Sequence, residues 1–156
     1  MYMTILVPVD GSATANAGLA EAIRLGRLTG ATLRLLHVAD LRPYASGYDA
    51  SIGYTGDLIE RVRESGLAVL KEAEAQVRAA GLAVQTQLIE TFSARASDLI
   101  VDQANTCGAE LVVIGTHGRR GIQRLMLGSD AEQVLRQSPV PVLLVRGRPE
   151  TTPVQA

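Results

Sequence analysis

Along this chain, runs of branched apolar residues alternate with segments whose apolar positions recur every three or four residues. The first run, Thr4-Ile5-Leu6-Val7-Pro8-Val9, is apolar along its length, as a parallel strand covered on both faces requires. Asp10-Gly11-Ser12 interrupts it, and Ser12 is placed to cap a helix. Ala15, Leu19, Ala22, Ile23 and Gly26 then follow at helical spacing, and Gly30 ends the segment as a C-terminal cap. A second strand is predicted over residues 32–38. Residues 40–57 show no periodicity and carry Pro43, Gly47, Gly53 and Gly56 with Tyr44, Tyr48 and Tyr54. A loop of that length serves as a functional lid or is disordered.

Val62, Gly66, Val69, Leu70, Ala73 and Val77 mark one stripe of a long helix stopped by Gly81. A third strand is expected over 82–89. Ser93 opens a helix carrying Ala96, Leu99, Ile100 and Ala104, closed by Gly108. The fourth strand, Leu111-Val112-Val113-Ile114, is the purest apolar run, and a glycine-rich loop leaves it. Ser129 begins a last helix with Ala131, Val134 and Leu135. Pro139 and Pro141 flank entry to a final strand, Val142-Leu143-Leu144-Val145. Strand and helix thus alternate through five strands and four helices. That order predicts an α/β fold: a single-domain, three-layer α/β/α sandwich around a five-stranded, doubly wound parallel sheet. Ligands of such sheets bind beyond the carboxyl ends of the strands, where strand order reverses. Residues 8–12 and the segment from Gly115 onward are the candidates for that rim.

Composition narrows the partners. The chain has 156 residues, 15 basic against 16 acidic, and a formal net charge of -1. This suits one folded unit over residues 1–148, with 149–156 a flexible, frayed tail. The balance gives no electrostatic ground for nucleic acid or an anionic membrane surface as partner. Cys107 is the single cysteine, which rules out an intrachain disulfide and multi-cysteine metal sites and makes a reducing cytoplasm the expected location. No window approaches a membrane span, and the N-terminus has no basic region of a targeting segment. Cys107 reads as a small hydrophobe near a helix end.

The richest chemistry lies between Gly115 and Ser129. Gly115 and Gly118 leave the fourth strand, and Gly128-Ser129 leads into a helix; Arg119, Arg120 and Arg124 sit between. Glycines let backbone amides approach an anion, a helix N-terminus offers unpaired donors and a favourable dipole, and Ser129 adds a hydroxyl at the cap. A polyphosphate cradle is one reading; a connector whose glycines turn corners and whose arginines are solvated is the other. A Walker A loop is absent, since the single lysine, Lys71, lies within a helix. The dinucleotide fingerprint and the hydrolase nucleophile elbow are absent as well. A phospho-receiver would need a lysine near the last strand, where Arg146 and Arg148 stand instead. Asp10 either contacts a ligand or bonds its own backbone as a turn former. His37 reads as a satisfied core or rim histidine, and His117 as a loop side chain facing solvent or acting as ligand or acid/base.

Val7-Pro8-Val9-Asp10-Gly11-Ser12, Leu35-Leu36-His37-Val38, the spacing Gly115-x2-Gly118-x9-Gly128-Ser129, and Pro139-Val140-Pro141-Val142-Leu143-Leu144-Val145-Arg146 together resemble the universal stress protein family. The glycine spacing resembles its ATP-binding branch. The resemblance spans residues 3–146 and implies an adenine nucleotide alpha hydrolase-like fold. It implies ATP with Mg2+ as ligand, Pro8 and Val9 along the adenine, and Asp10 near ribose and metal. It implies further that Val38 offers backbone to the adenine edge, and that Gly115, Gly118, Gly128 and Ser129 hold ribose and phosphates beside Arg119. Asp130 departs from the small apolar residue common there. It would repel a triphosphate if aimed inward, and could bind Mg2+ or face solvent. Glu90-Thr91-Phe92-Ser93 lacks the family's usual glycine. The tyrosines at 44, 48 and 54 either close over the base or belong to a mobile linker.

No general base with an orienting partner can be named. The expectation is a nucleotide-binding regulator of the stress response rather than an enzyme. A weak ATPase or autophosphorylating protein, and a nucleotide-independent dimeric module, are the alternatives. Residues 142–145 form an apolar sheet edge, a liability unless paired; the resemblance implies a homodimer through that strand.

Overall fold

The computed structural model describes residues 1–44, 55–116 and 127–147. Strands β1 (Thr4–Pro8), β2 (Thr32–Asp40), β3 (Val84–Thr91), β4 (Leu111–Gly115) and β5 (Val142–Val145) alternate with helices α1 (Ala13–Thr29), α2 (Thr55–Ala79), α3 (Ala96–Thr106) and α4 (Ser129–Gln137). The sheet is parallel with order β3-β2-β1-β4-β5. The direction of winding therefore reverses between β1 and β4, as a doubly wound sheet requires.

Strand alternation sorts the core into two layers. Ile5, Val7, Leu33, Leu35, Leu111 and Val113 pack with Leu19 and Ala22 of α1 and Leu70, Ala73 and Val77 of α2. Leu6, Leu36, Val112 and Ile114 face the other way, against Ile100 and Ala104 of α3 and Ala131 and Val134 of α4. Every β4 residue is buried, because helices cover this inner strand on both sides. β3 is an edge strand with Gln85, Thr86 and Gln87 exposed. Arg34 of β2 reaches across to it, Nε donating to Gln85 Oε1 at 2.8 Å.

Helix ends follow the sequence in α1 and depart from it elsewhere. Ser12 Oγ accepts the Ala15 N–H at 3.2 Å. Gly30, at φ 74°, closes α1 and donates its N–H to Gly26 O, a left-handed cap that glycine adopts without a Cβ penalty. Ser129, expected at the N-cap, is the first helical residue of α4, and Gly128 occupies the cap. Ser93, expected to open α3, precedes it; the helix starts at Ala96 after Arg95. The Ser93 and Ala94 N–H groups are taken by Thr91 Oγ1, which holds those residues in a turn. Within the expected aperiodic stretch 40–57, β2 continues to Asp40, a 3-10 turn spans Arg42–Tyr44, and α2 is under way at Thr55.

Candidate functional site

At the carboxyl end of the sheet, β1 and β4 share only Ile5↔Leu111 and Leu6↔Val112 before they part. Pro8 helps to part them. Val9 donates to Leu36 O of β2 at 2.8 Å, so by alternation the position before it faces β4. Proline has no N–H to continue that ladder. Strand ends that part at an order reversal are where a doubly wound sheet places its crevice, and the candidate residues sort onto its two lips.

On the β1 lip, Asp10 Oδ1 accepts the Ser12 N–H at 2.9 Å, and Gly11 turns the chain at φ 79°. Asp10 does form the local turn that its alternative reading foresaw. The same turn delivers α1, whose N-terminal dipole favours negative charge at this rim.

β2 runs past the end of β1. Odd residues of β2 direct their amides toward β3: Leu33 donates to Ala83 O and Leu41 to Thr91 O. Even residues face β1, as Thr32 does in donating to Met3 O. Val38 is even, so its N–H and C=O point to the side where β1 has ended. A full rung would bond Val38 N–H to Val9 C=O. β1, however, ends at Pro8, and the Val9 carbonyl accepts from His37 Nδ1 at 2.7 Å. Among the described residues, the Val38 backbone pair is thereby left facing the crevice without a β1 partner.

On the β4 lip, a Cβ added to Gly115 would lie 2.6 Å from both C and O of Thr14 and 2.9 Å from Ala15 N. The first turn of α1 sits directly on that glycine. Gly115 is therefore required for packing, whatever else it does. Thr116 is buried; its N–H donates to Val145 O at 2.9 Å, and its carbonyl accepts the Gly128 N–H at 2.7 Å. That bond joins Thr116 to Gly128 at the N-terminus of α4. Gly118 and Arg119, with His117, Arg120 and Arg124, lie outside the described residues, as do Tyr48, Tyr54 and the segment 149–156.

Charge at the rim has a feature that the sequence reading missed. Arg42 donates to Asp40 through Nε (2.8 Å), Nη2 (2.6 Å) and its backbone N–H (3.1 Å). The hydrogen-bonded Asp40 raises the Arg42 guanidinium above its ordinary value, and the charges of Asp130 and Asp98 add to that. Asp130 at the start of α4 and Asp98 at the start of α3 are thus within electrostatic reach of the guanidinium that Asp40 holds. An acid two residues before an arginine at a strand end was the available cue. Among the described residues, no group of three or more His, Cys, Asp or Glu side chains could hold a metal. Asp10 and Asp130 offer single carboxylates, so a cation here would have to arrive with a ligand that supplies most of its shell.

Other residues fall outside the crevice. Cys107 is the half-buried C-cap of α3. With Leu6, Arg34, Leu36, Gln87 and Gln103 it lines a cavity of about 80 Å³. That cavity shares no residue with the crevice and is too small for a nucleotide. Tyr44 is half-buried in the 3-10 turn. No described helix is long and apolar enough to cross a membrane.

A parallel sheet whose strand order reverses between β1 and β4, with helices on both faces, defines the class of doubly wound α/β proteins. Within that class, the model of the universal stress protein family matches residues 1–146. Universal stress protein MJ0531 of Methanocaldococcus jannaschii is 31% identical over 146 residues, covering 94% of this chain and 83% of its own. The structure of hypothetical protein MJ0577 superposes with a TM-score of 0.80 at 26% identity, over 96% of this chain and 99% of the other. The universal stress protein of Archaeoglobus fulgidus in complex with dAMP superposes at 0.64 with 26% identity, over 92% and 98%. The chain belongs to the universal stress protein family.

Proposed function

We propose that this protein binds an adenine nucleotide in the β1–β4 crevice and works as a nucleotide-dependent regulator, with no catalytic role. The observation that carries the reading is the Val38 backbone pair, turned out of the ladder on the side where β1 has ended, with Thr116 tied to Gly128 at the α4 N-terminus. A donor–acceptor pair of that kind suits the edge of adenine, and the N–H groups of the first turn of α4, from Ser129 on, suit phosphate. The dAMP complex of the Archaeoglobus fulgidus relative supports the ligand class. The finer assignment is ATP with Mg2+, resting on the Gly115-x2-Gly118-x9-Gly128-Ser129 spacing. Pro8 and Val9 flank the base, Asp10 lies toward ribose and the cation, and Arg119 lies near the phosphates. Asp130, coupled to Arg42, weighs against added phosphate charge unless Mg2+ accompanies it. β5, half-exposed along its length at a sheet edge, pairs with a second copy.

Titration calorimetry of the purified chain with ATP, AMP and adenosine, with and without Mg2+, tests this reading. ATP·Mg2+ binding that Gly128→Val abolishes, with the circular dichroism spectrum unchanged, is the expected result. Absence of heat with all three ligands overturns the reading and leaves an interaction module. Sedimentation equilibrium, with Leu144→Lys as the edge-breaking variant, tests the dimer.

A further inference from the structure

Two residues that look misplaced in the sequence meet in the fold. His37 lies in an apolar strand, and Gly66 lies inside a long helix, where glycine costs about 1 kcal/mol relative to alanine. The His37 ring is 6% exposed. It projects toward the α2 layer, since its register partner is Leu88. A Cβ on Gly66 would stand 2.7 Å from His37 Cδ2, 3.1 Å from its Nε2 and 2.9 Å from Leu88 Cδ1. The missing side chain of Gly66 therefore makes room for the imidazole beneath α2.

The ring's other edge meets the site. Nδ1 lies 2.7 Å from the Val9 carbonyl, an oxygen that can only accept, so Nδ1 carries the proton. That carbonyl is the one a continued ladder would give to Val38 N–H. We propose that His37 is a positioning residue for the nucleotide. Its Nδ1–H takes the Val9 carbonyl just past the end of β1, turns the Val9-Asp10 peptide out of the ladder and leaves the Val38 amide for the adenine edge; Gly66 leaves room for the ring there. The proposal rests on the adenine-nucleotide reading above and names how this chain prepares that site.

Asparagine places an Nδ2–H where histidine has Nδ1–H, whereas leucine fills space without a donor. His37→Leu should weaken adenine nucleotide binding by about tenfold or more, the share of one well-placed hydrogen bond, with helical content unchanged. His37→Asn should restore most of it. Equal affinity in wild type and His37→Leu overturns the proposal, as does loss in both variants alike. Amide hydrogen exchange gives a readout that needs no ligand. In the wild type, Val38 N–H exchanges faster than Leu36 N–H; in His37→Leu, it becomes protected as it takes the Val9 carbonyl. A Val38 amide already protected in the wild type sinks the proposal even if nucleotide binds. A wild type that binds no nucleotide yet shows the exchange difference sinks the adenine reading and keeps the role of His37.

Discussion

On the β1 lip of the crevice, side chains hold the backbone. Asp10 takes the Ser12 N–H, Ser12 Oγ takes the Ala15 N–H, and His37 takes the Val9 carbonyl. On the β4 lip the backbone is held by the lack of side chains. Gly115 lets the first turn of α1 sit on the strand, and Thr116 closes the loop through main-chain atoms. Because the two lips are held by different means, they should fail in different ways. A hydrogen-bonded lip loses one partner at a time and stays folded. A lip made by close approach has no room to yield, because interiors are packed near crystal density.

Breaking the glycine-built lip should have the largest effect. Gly115→Val drives its side chain into the Thr14 and Ala15 backbone and should lower unfolding free energy by about 3 kcal/mol, the upper end for overpacking. A lower urea midpoint with an unchanged slope would show it. A midpoint within error of the wild type would refute the account of that lip.

Next is Gly66→Ala, where two effects oppose. Helix propensity favours alanine by about 1 kcal/mol, while the 2.7 Å approach to His37 costs about 1–3 kcal/mol in displaced packing. The ring is buried between strand and helix, so the clash should win and leave a net loss of about 1 kcal/mol. Net stabilisation would mean that His37 swings aside freely, and the contrast between the lips would weaken.

The side-chain lip itself should respond more mildly. Ser12→Ala removes the cap on α1 and should cost about 1 kcal/mol, measured by the same denaturation, with the fold intact. A loss as large as that of Gly115→Val would erase the distinction.

The smallest effect is expected outside both lips, where Arg63 of α2 pairs with Glu90 of β3. The hydrogen-bonded guanidinium holds the Glu90 carboxyl below its ordinary value. The unfolded chain thus binds the proton more readily than the folded one. The contribution is present above the ordinary carboxylate range and fades as pH falls through the folded value. The stability gap between wild type and Glu90→Gln should narrow on acidification from pH 6 to pH 3, and also narrow in high salt, because the pair is partly exposed. A gap that widens on acidification would contradict the pairing.

Much of this was legible beforehand. The five strands, four helices and their parallel, doubly wound arrangement follow from apolar runs of strand length alternating with helical periodicity. The Ser12 and Gly30 caps follow from residue type. The rim at residues 8–12 and 115 follows from the general rule for such sheets. Ser129 does begin α4, with Gly128 in the cap position expected of the serine; Ser93 was misassigned as a helix starter because a serine ahead of a periodic run can cap a turn or a helix alike, and Thr91 decided for the turn. The Asp40–Arg42 pair, and its nearness to Asp130 and Asp98, were missed because nothing local ties a 3-10 turn to the first turns of two distant helices.

What the sequence alone determined is the order and type of elements and the positions that must be buried. These depend on periodicities written in neighbouring residues. What tertiary structure decided is why Gly66 and Gly115 are glycines, why a histidine stands in an apolar strand, and which backbone amides stay outside the ladder. Those depend on contacts between segments far apart in the chain: His37 with Gly66, Gly115 with Thr14, Val9 with His37. A close approach of that kind exists only once the sheet has brought its strand ends together, and no local pattern encodes the distance.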